Sequence, residues 1–236
     1  MGKGTGPFVD PLFVAYPELA RAIDRLCELP PWQMTGASAL VVSEGALVLE
    51  LTKPKHWQRR EDGVTIVGLG AIGGSLEPGE TLLACLQREA HEELGAPIET
   101  LSSAQTAIVY EREQVTRLGL LQAGHPLPAL LTVSENLYRP ELGPAARTLA
   151  IATFWARLDG APRLGDLYGM LTLPLEQVRP ALAALPCPPG ELAALNGVRL
   201  VTRAPLPPHA LLEPVWTVHS LWRALQEGPL PEGIPL

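Results

Sequence analysis

Residues 64–80, VTIVGLGAIGGSLEPGE, limit the fold more than any other stretch of the chain. A β-branched run (Val64 to Val67) enters a glycine-rich segment, and Pro78-Gly79 then stands just ahead of an apolar, acidic stretch. Proline inside a helix removes a hydrogen bond and clashes with the preceding turn, at about 3 kcal/mol. A helix therefore begins only after Gly79, and the segment reads as extended chain over 64–73, a loop, and a helix over 80–94. That order disposes of one reading at once. Gly68-Leu69-Gly70-Ala71-Ile72-Gly73 has the spacing of a dinucleotide-binding fingerprint, which works only when a helix starts inside it and aims its N-terminus at a pyrophosphate. Such a helix would run through Pro78, with Gly79 adding about 1 kcal/mol, a large part of a domain's margin of ~5–15 kcal/mol. The downstream sequence also lacks the alternating strands and helices that this fold needs.

From Gly74 the sequence continues GSLEPGETLLACLQREAHEELGA. At about 100° per residue, Glu89, Glu92 and Glu93 share a helical arc of roughly 100°. Leu83, Leu86, Ala90 and Leu94 form an adjoining apolar stripe that suits packing on a sheet. Three like charges at spacings of three and four repel on an isolated helix, so keeping them together calls for a cation. Hard oxygen donors suit Mg2+ or Mn2+. Pro78-Gly79 turns into the helix, and Gly95 ends it as a residue of left-handed conformation does.

The spacing is also specific. Gly74, Glu80, Arg88-Glu89, Glu92-Glu93 and Gly95 occupy all seven fixed positions of the signature of the Nudix hydrolases, which this chain resembles from Gly74 to Ala96. Ala90 and Ala96 fill the two aliphatic slots with small side chains, a mild departure. The resemblance implies a Nudix α/β/α sandwich with a mixed sheet, here with helical N- and C-terminal extensions. It implies hydrolysis of a nucleoside diphosphate linked to another moiety, by attack of water on phosphorus. That chemistry asks for metals to neutralise the pyrophosphate and supply hydroxide near neutral pH, and for a carboxylate to handle the proton. Glu89, Glu92 and Glu93 are the implied metal ligands, Glu89 and Glu93 foremost. Glu80 and Arg88 stand behind them, Arg88 holding a carboxylate through paired hydrogen bonds. Gly73 and Gly74 let backbone approach metal or phosphate.

The general base is open between a helix carboxylate such as Glu89 or Glu93 and a loop acid. Asp166 in RLGDLYG is preferred to Glu135 in TVSENLY, because a loop before the final strand supplies the acid in several relatives. The loop KPKHWQRREDG (53–63) is the one basic cluster. Its Lys53, Lys55, Arg59 and Arg60 offer charge for substrate phosphates and Trp57 a stacking face, though a solvated hairpin loop accounts for them equally well. Tyr110 lies where some family branches place a substrate-defining residue. Trp32, Trp155, Trp216 and Trp222 are read as packing residues. ADP-ribose, nucleotide sugars and nucleoside triphosphates all stay open as substrates, and a nucleotide-binding module without turnover is the alternative class.

Composition supports this outline. A formal net charge of −7 opposes sequence-independent nucleic-acid binding, and no apolar run is long enough for a membrane span. Three scattered cysteines suggest neither a disulfide framework nor a zinc ribbon, so a reduced, cytoplasmic setting is expected. The chain divides into a helical extension (1–36, with PELARAIDRLCEL stopped by Pro30-Pro31), a catalytic domain (37–185) and a Pro- and Leu-rich extension (186–236) packing on it. A homodimer through these additions is one arrangement left open. Within the domain, ASALVVSEGALVLELT reads as a hairpin, AQTAIVYE, ALLTVSENLY, TLAIATFWARL and GMLTLP as strands, and 175–185 as helical.

Overall fold

Alternation along the strands assigns the two faces of the sheet. In β1 (Trp32–Ser43), Ala37, Ala39 and Val41 enter one core and Leu40 the other. In β2 (Ala46–Leu51), Val48 joins the first core and Leu47, Leu49 and Leu51 the second. A period of two on buried strands thus builds two hydrophobic layers back to back. These observations come from a computed structural model that describes residues 10–27, 32–135 and 148–229.

Helices close both layers. The first core is covered by α1 (Pro11–Ala15), α2 (Pro17–Leu26) and α3 (Leu82–Leu94), through residues such as Leu12, Leu19, Ile23, Leu82 and Leu86. The second is covered by α4 (Val178–Ala184), α5 (Pro189–Ala193) and α6 (Trp216–Gln226), through Val178, Leu182, Leu192, Val218 and Leu221. The architecture is the expected α/β/α sandwich, with helices at both ends of the chain. Among the described residues no helix is long and apolar enough to cross a membrane.

The remaining strands are β3 (Gln58–Arg59), β4 (Thr65–Gly70), β5 (Ile72–Ser75), β6 (Glu99–Leu101), β7 (Gln105–Tyr110), β8 (Gln114–Gly119) and β9 (Leu130–Ser134). They are followed by β10 (Thr148–Arg157), β11 (Gly169–Pro174), β12 (Arg199–Thr202) and β13 (Ala210–Pro214). The main path through the sheet is β12-β11-β2-β1-β10-β9-β7-β8, with β4 beside β2 and carrying β3 and β13. The sheet is mixed: β1–β10, β7–β9 and β4–β13 run parallel, and the other pairs antiparallel.

The expected hairpin forms, with Val41 opposite Val48. The N-terminal helix ends at Leu26, while Pro30-Pro31 lie outside the described residues. Two differences from the sequence reading concern pairing. The strand β8, short and half-exposed, has little pattern of its own and forms by pairing with β7 along its whole length. The sheet also runs past both of the boundaries drawn at 36/37 and 185/186. β1 starts at Trp32, β12 pairs with β11, and β13 lies parallel to β4 from Ala210 opposite Thr65 to Pro214 opposite Leu69.

α3 is fixed at both ends. Thr81 Oγ1 accepts the N–H of Ala84 at 3.2 Å, and Asp10 Oδ2 accepts that of Leu82 at 2.8 Å, while Asp10 Oδ1 takes the N–H of Leu12 at 2.8 Å. One buried carboxylate therefore caps α1 and α3 together. At the other end Gly95 adopts φ 69° and returns its N–H to His91 O at 3.0 Å, as its sequence position suggested.

Candidate active site

The acids of α3 meet three different environments. Glu93 is 6% exposed, and its Oε2 accepts the N–H of Gly73 at 2.9 Å. Glu89 Oε1 accepts from Arg88 Nη1 at 2.7 Å, and Arg88 also grips both oxygens of Glu80, at 2.9 and 3.0 Å, and Ser75 O at 3.0 Å. Arg88 thus forks between the Glu80 and Glu89 carboxylates. Glu92 points outward, with its side chain 51% exposed and 3.7 Å from Arg88 Nη1. A Cβ on Gly74 would lie 2.1 Å from Glu89 Oε1, so only glycine lets that carboxylate rest on the strand.

Facing α3 is an acid the sequence reading missed. Glu50 in β2 is opposite Gly70 and lies close enough to Glu93 for the two charges to interact. Burial, Glu50 and Glu89 push the Glu93 carboxyl well above its ordinary range, against the Gly73 hydrogen bond. Burial likewise pushes Glu50 up, opposed by Lys53 and reinforced by Glu89 and Asp166. The missed signal was strand parity. In LVLEL, Leu47, Leu49 and Leu51 face one core, so Glu50 shares the α3 side with Val48.

Asp166, the preferred loop acid, lies on a loop tied to α3. The N–H groups of Gly165 and Asp166 bind Glu93 O and Glu92 O at 2.8 Å each, tying this loop to the end of α3. The Asp166 carboxylate takes a 2.6 Å hydrogen bond from Lys53 Nζ, which raises the pKa of that ammonium. Arg88 holds the Glu80 carboxyl below its usual range and is itself raised, with the Glu80 hydrogen bond the main cause.

Other expected site residues are not brought to this cluster. Glu135 accepts the Tyr110 hydroxyl at 2.6 Å, and that bond raises the tyrosine pKa. Lys55, Arg59 and Arg60 are exposed, with Arg60 paired to Asp62 at 2.8 Å. Trp57 donates its indole N–H to Thr52 O at 2.7 Å and meets Tyr168 edge-on at 5.1 Å, so packing already employs its ring. The cleft beside the acids, about 700 Å³, is lined by Ser38, Glu50, Gly70, Gly73, Gly74 and Arg112, and from the C-terminal segment by Glu213 to Thr217. None of Lys55, Arg59, Arg60, Trp57, Tyr110 or Glu135 lines it. The reading of Trp216 as a packing residue also needs correction. Trp155 is buried, Trp32 packs on the first core and Trp57 and Trp222 on the second, whereas Trp216 belongs to neither and lines the cleft.

Among the described residues, no three His, Cys, Asp or Glu side chains converge as placed into a closed metal cage. The donor chemistry nevertheless fits a divalent cation. Burial first, and then the neighbouring carboxylates Glu89 and Asp166, make Glu50 and Glu93 resist ionisation. A hard cation among these oxygens would remove that resistance.

Fold and acidic helix together are those expected of a hydrolase that cleaves a pyrophosphate with the help of a metal. The model of the NUDIX domain matches residues 34–123, a span that takes in the whole box, so this part of the chain is similar to the Nudix hydrolases, a family that generally works with divalent metals. No curated protein matches the chain by sequence. Similar solved structures include the E. coli ORF135 protein, at 13% identity, covering 65% of this chain and 83% of that one, with a TM-score of 0.36. A NUDIX hydrolase from Nitrosomonas europaea shows 15% identity over 66% of this chain and 82% of that one, at TM-score 0.36. An ADP-ribose pyrophosphatase from Streptococcus suis shows 12% identity over 61% and 76%, at TM-score 0.31. Likeness at these scores adds nothing to the domain match and the box.

Proposed function

We propose that this enzyme hydrolyses the phosphoanhydride of a nucleoside diphosphate joined to a further moiety, with Mg2+ or Mn2+ as cofactor. The observation that carries the reading is the opposition of Glu93 and Glu50 across one buried face, beside a cleft whose wall is glycine backbone. Glu93 and Glu89 would hold the cation, with the more exposed Glu92 beside them on the same helix. When bound, the cation neutralises the pyrophosphate and eases formation of the nucleophile.

The protein's own groups supply the rest. Arg88 keeps Glu89 in place and Glu80 holds Arg88, so the ligand set is braced from behind. Gly74 keeps the strand narrow enough for Glu89 and for a phosphate to share the space. Glu50 is the proton acceptor for the attacking water, since it lines the cleft and its burial raises its basicity. Lys53 and Asp166 form a charge pair beside it, and Asp166 replaces Glu50 in this role should the water lie on the loop side.

The experiment is release of nucleoside monophosphate from ADP-ribose, nucleotide sugars and nucleoside triphosphates, with Mg2+. Glu50→Gln should lower kcat by about 10²–10⁴-fold without recovery at high Mg2+. Glu93→Gln should lose activity that rising Mg2+ partly restores. Tight binding of one compound with no turnover of any would identify a binding module instead.

A further inference from the structure

The site described so far accounts for phosphates and metal but leaves one wall of the cleft without a task. Glu213, Pro214, Val215, Trp216 and Thr217 form that wall, and they come from the segment that joins β13 to α6. Trp216 has φ 45°, a left-handed conformation that costs a bulky residue of order 1–3 kcal/mol. Its neighbours hold it there. Val215 N–H binds Leu69 O at 3.0 Å, Val218 N–H binds Val215 O at 3.0 Å, and Thr217 Oγ1 lies 2.8 Å from Ser38 Oγ. A strained aromatic kept out of both cores, half-buried and facing a cleft, spends stability on presenting its ring. Next to it, the half-buried Glu213 carboxylate has no hydrogen-bond or ion-pair partner among the described residues, although it sits on a strand paired in register with β4.

We propose that Trp216 and Glu213 form the subsite for the nucleobase of the substrate, Trp216 by stacking on its face and Glu213 by accepting N–H donors from its pairing edge. The inference rests on the reading of the cleft as a nucleotide site and deepens it. An indole face stacks on any base, at a gain of about tenfold or more in affinity. Discrimination falls to Glu213. Guanine offers two adjacent donors that match both carboxylate oxygens, adenine and cytosine offer one amino group, and uracil offers one N–H flanked by two carbonyls that repel a carboxylate. The order of affinity is therefore guanine, then adenine and cytosine, then uracil.

Calorimetric binding of GMP, AMP, CMP, UMP and ribose 5-phosphate to the intact protein tests this apart from turnover, so a failure of hydrolysis and a failure of the subsite read out separately. The wild type should bind GMP at least tenfold more tightly than ribose 5-phosphate. Trp216→Gly accepts the left-handed backbone without strain, so it should melt at or above the wild-type temperature while losing that tenfold gain. Trp216→Phe should restore most of it. Glu213→Gln should reduce the preference for GMP over UMP several-fold and leave ribose 5-phosphate binding as it was. Where turnover occurs, Trp216→Gly should raise KM about tenfold, with a much smaller change in kcat. Equal affinity of the wild type for GMP and ribose 5-phosphate, wild-type GMP affinity in Trp216→Gly, or an unaltered preference for GMP over UMP in Glu213→Gln, overturns the proposal.

Discussion

Glu93→Gln separates a metal ligand from an ordinary buried acid, because the metal-free and metal-loaded proteins should respond in opposite directions. Glu93 has an ordinary pKa of 4.5 when unfolded, and burial together with Glu50 raises it in the folded chain. A raised carboxyl means that the folded state binds more protons than the unfolded one, so stability falls as pH climbs above about 4.5. Each pH unit above that point costs 1.36 kcal/mol until the folded pKa is reached, which caps the cost at about 3 kcal/mol at pH 7. Glutamine removes this cost and keeps an acceptor for the Gly73 N–H, losing about 1 kcal/mol of charge assistance. The balance is a gain of roughly 1–2 kcal/mol, or some 2–8 °C in melting temperature for a chain of this size.

The assay is thermal melting of both proteins between pH 5 and pH 8, in EDTA and then with Mg2+. In EDTA the variant should melt higher at pH 8 and show no advantage at pH 5. With Mg2+ at 100 times its Kd, the wild type should gain about 2.7 kcal/mol and the variant distinctly less. A variant that melts below the wild type at pH 8 in EDTA, or that gains equally from Mg2+, refutes the reasoning.

Further substitutions probe the supports of the site. Gly74→Ala places a methyl group against the Glu89 carboxylate, so hydrolysis should fall at least tenfold while circular dichroism stays native. Arg88→Lys keeps the charge but loses the fork that spans Glu80 and Glu89, and steady-state kinetics should show a higher Mg2+ requirement. Asp10→Ala uncaps α1 and α3 together and should cost about 1–3 kcal/mol in urea denaturation. Lys53→Met removes the cation that opposes the raised Glu50, so the acid limb of the pH–rate profile should move upward.

The sequence made the box legible because its residues are local. The acids and Arg88 lie within one helix, and Pro78-Gly79 and Gly95 mark its ends, so spacing alone located them. Glu50 was hidden because its partner is 43 positions away and only strand parity ties them to one face. Asp166 was singled out through family likeness, and its backbone bonds to α3 gave no sequence signal. The basic loop left substrate contact and a solvated hairpin equally open because charge alone does not tell them apart; Lys55, Arg59 and Arg60 are exposed and do not line the cleft. Trp216 misled for the opposite reason: four of the five tryptophans do pack on a core, and nothing in VWTVHSLW shows that one of them is held at φ 45°.

The parallel seam between β13 and β4 joins positions as far apart as Thr65 and Ala210. Contacts of such long sequence separation form late and slowly. During synthesis the acidic helix emerges and can dock on its strands well before the segment that walls the opposite side of the cleft has left the ribosome. On the proposed reading, a nascent chain holds the acidic half of the site before the wall that selects a base exists, and selectivity waits for the seam to close.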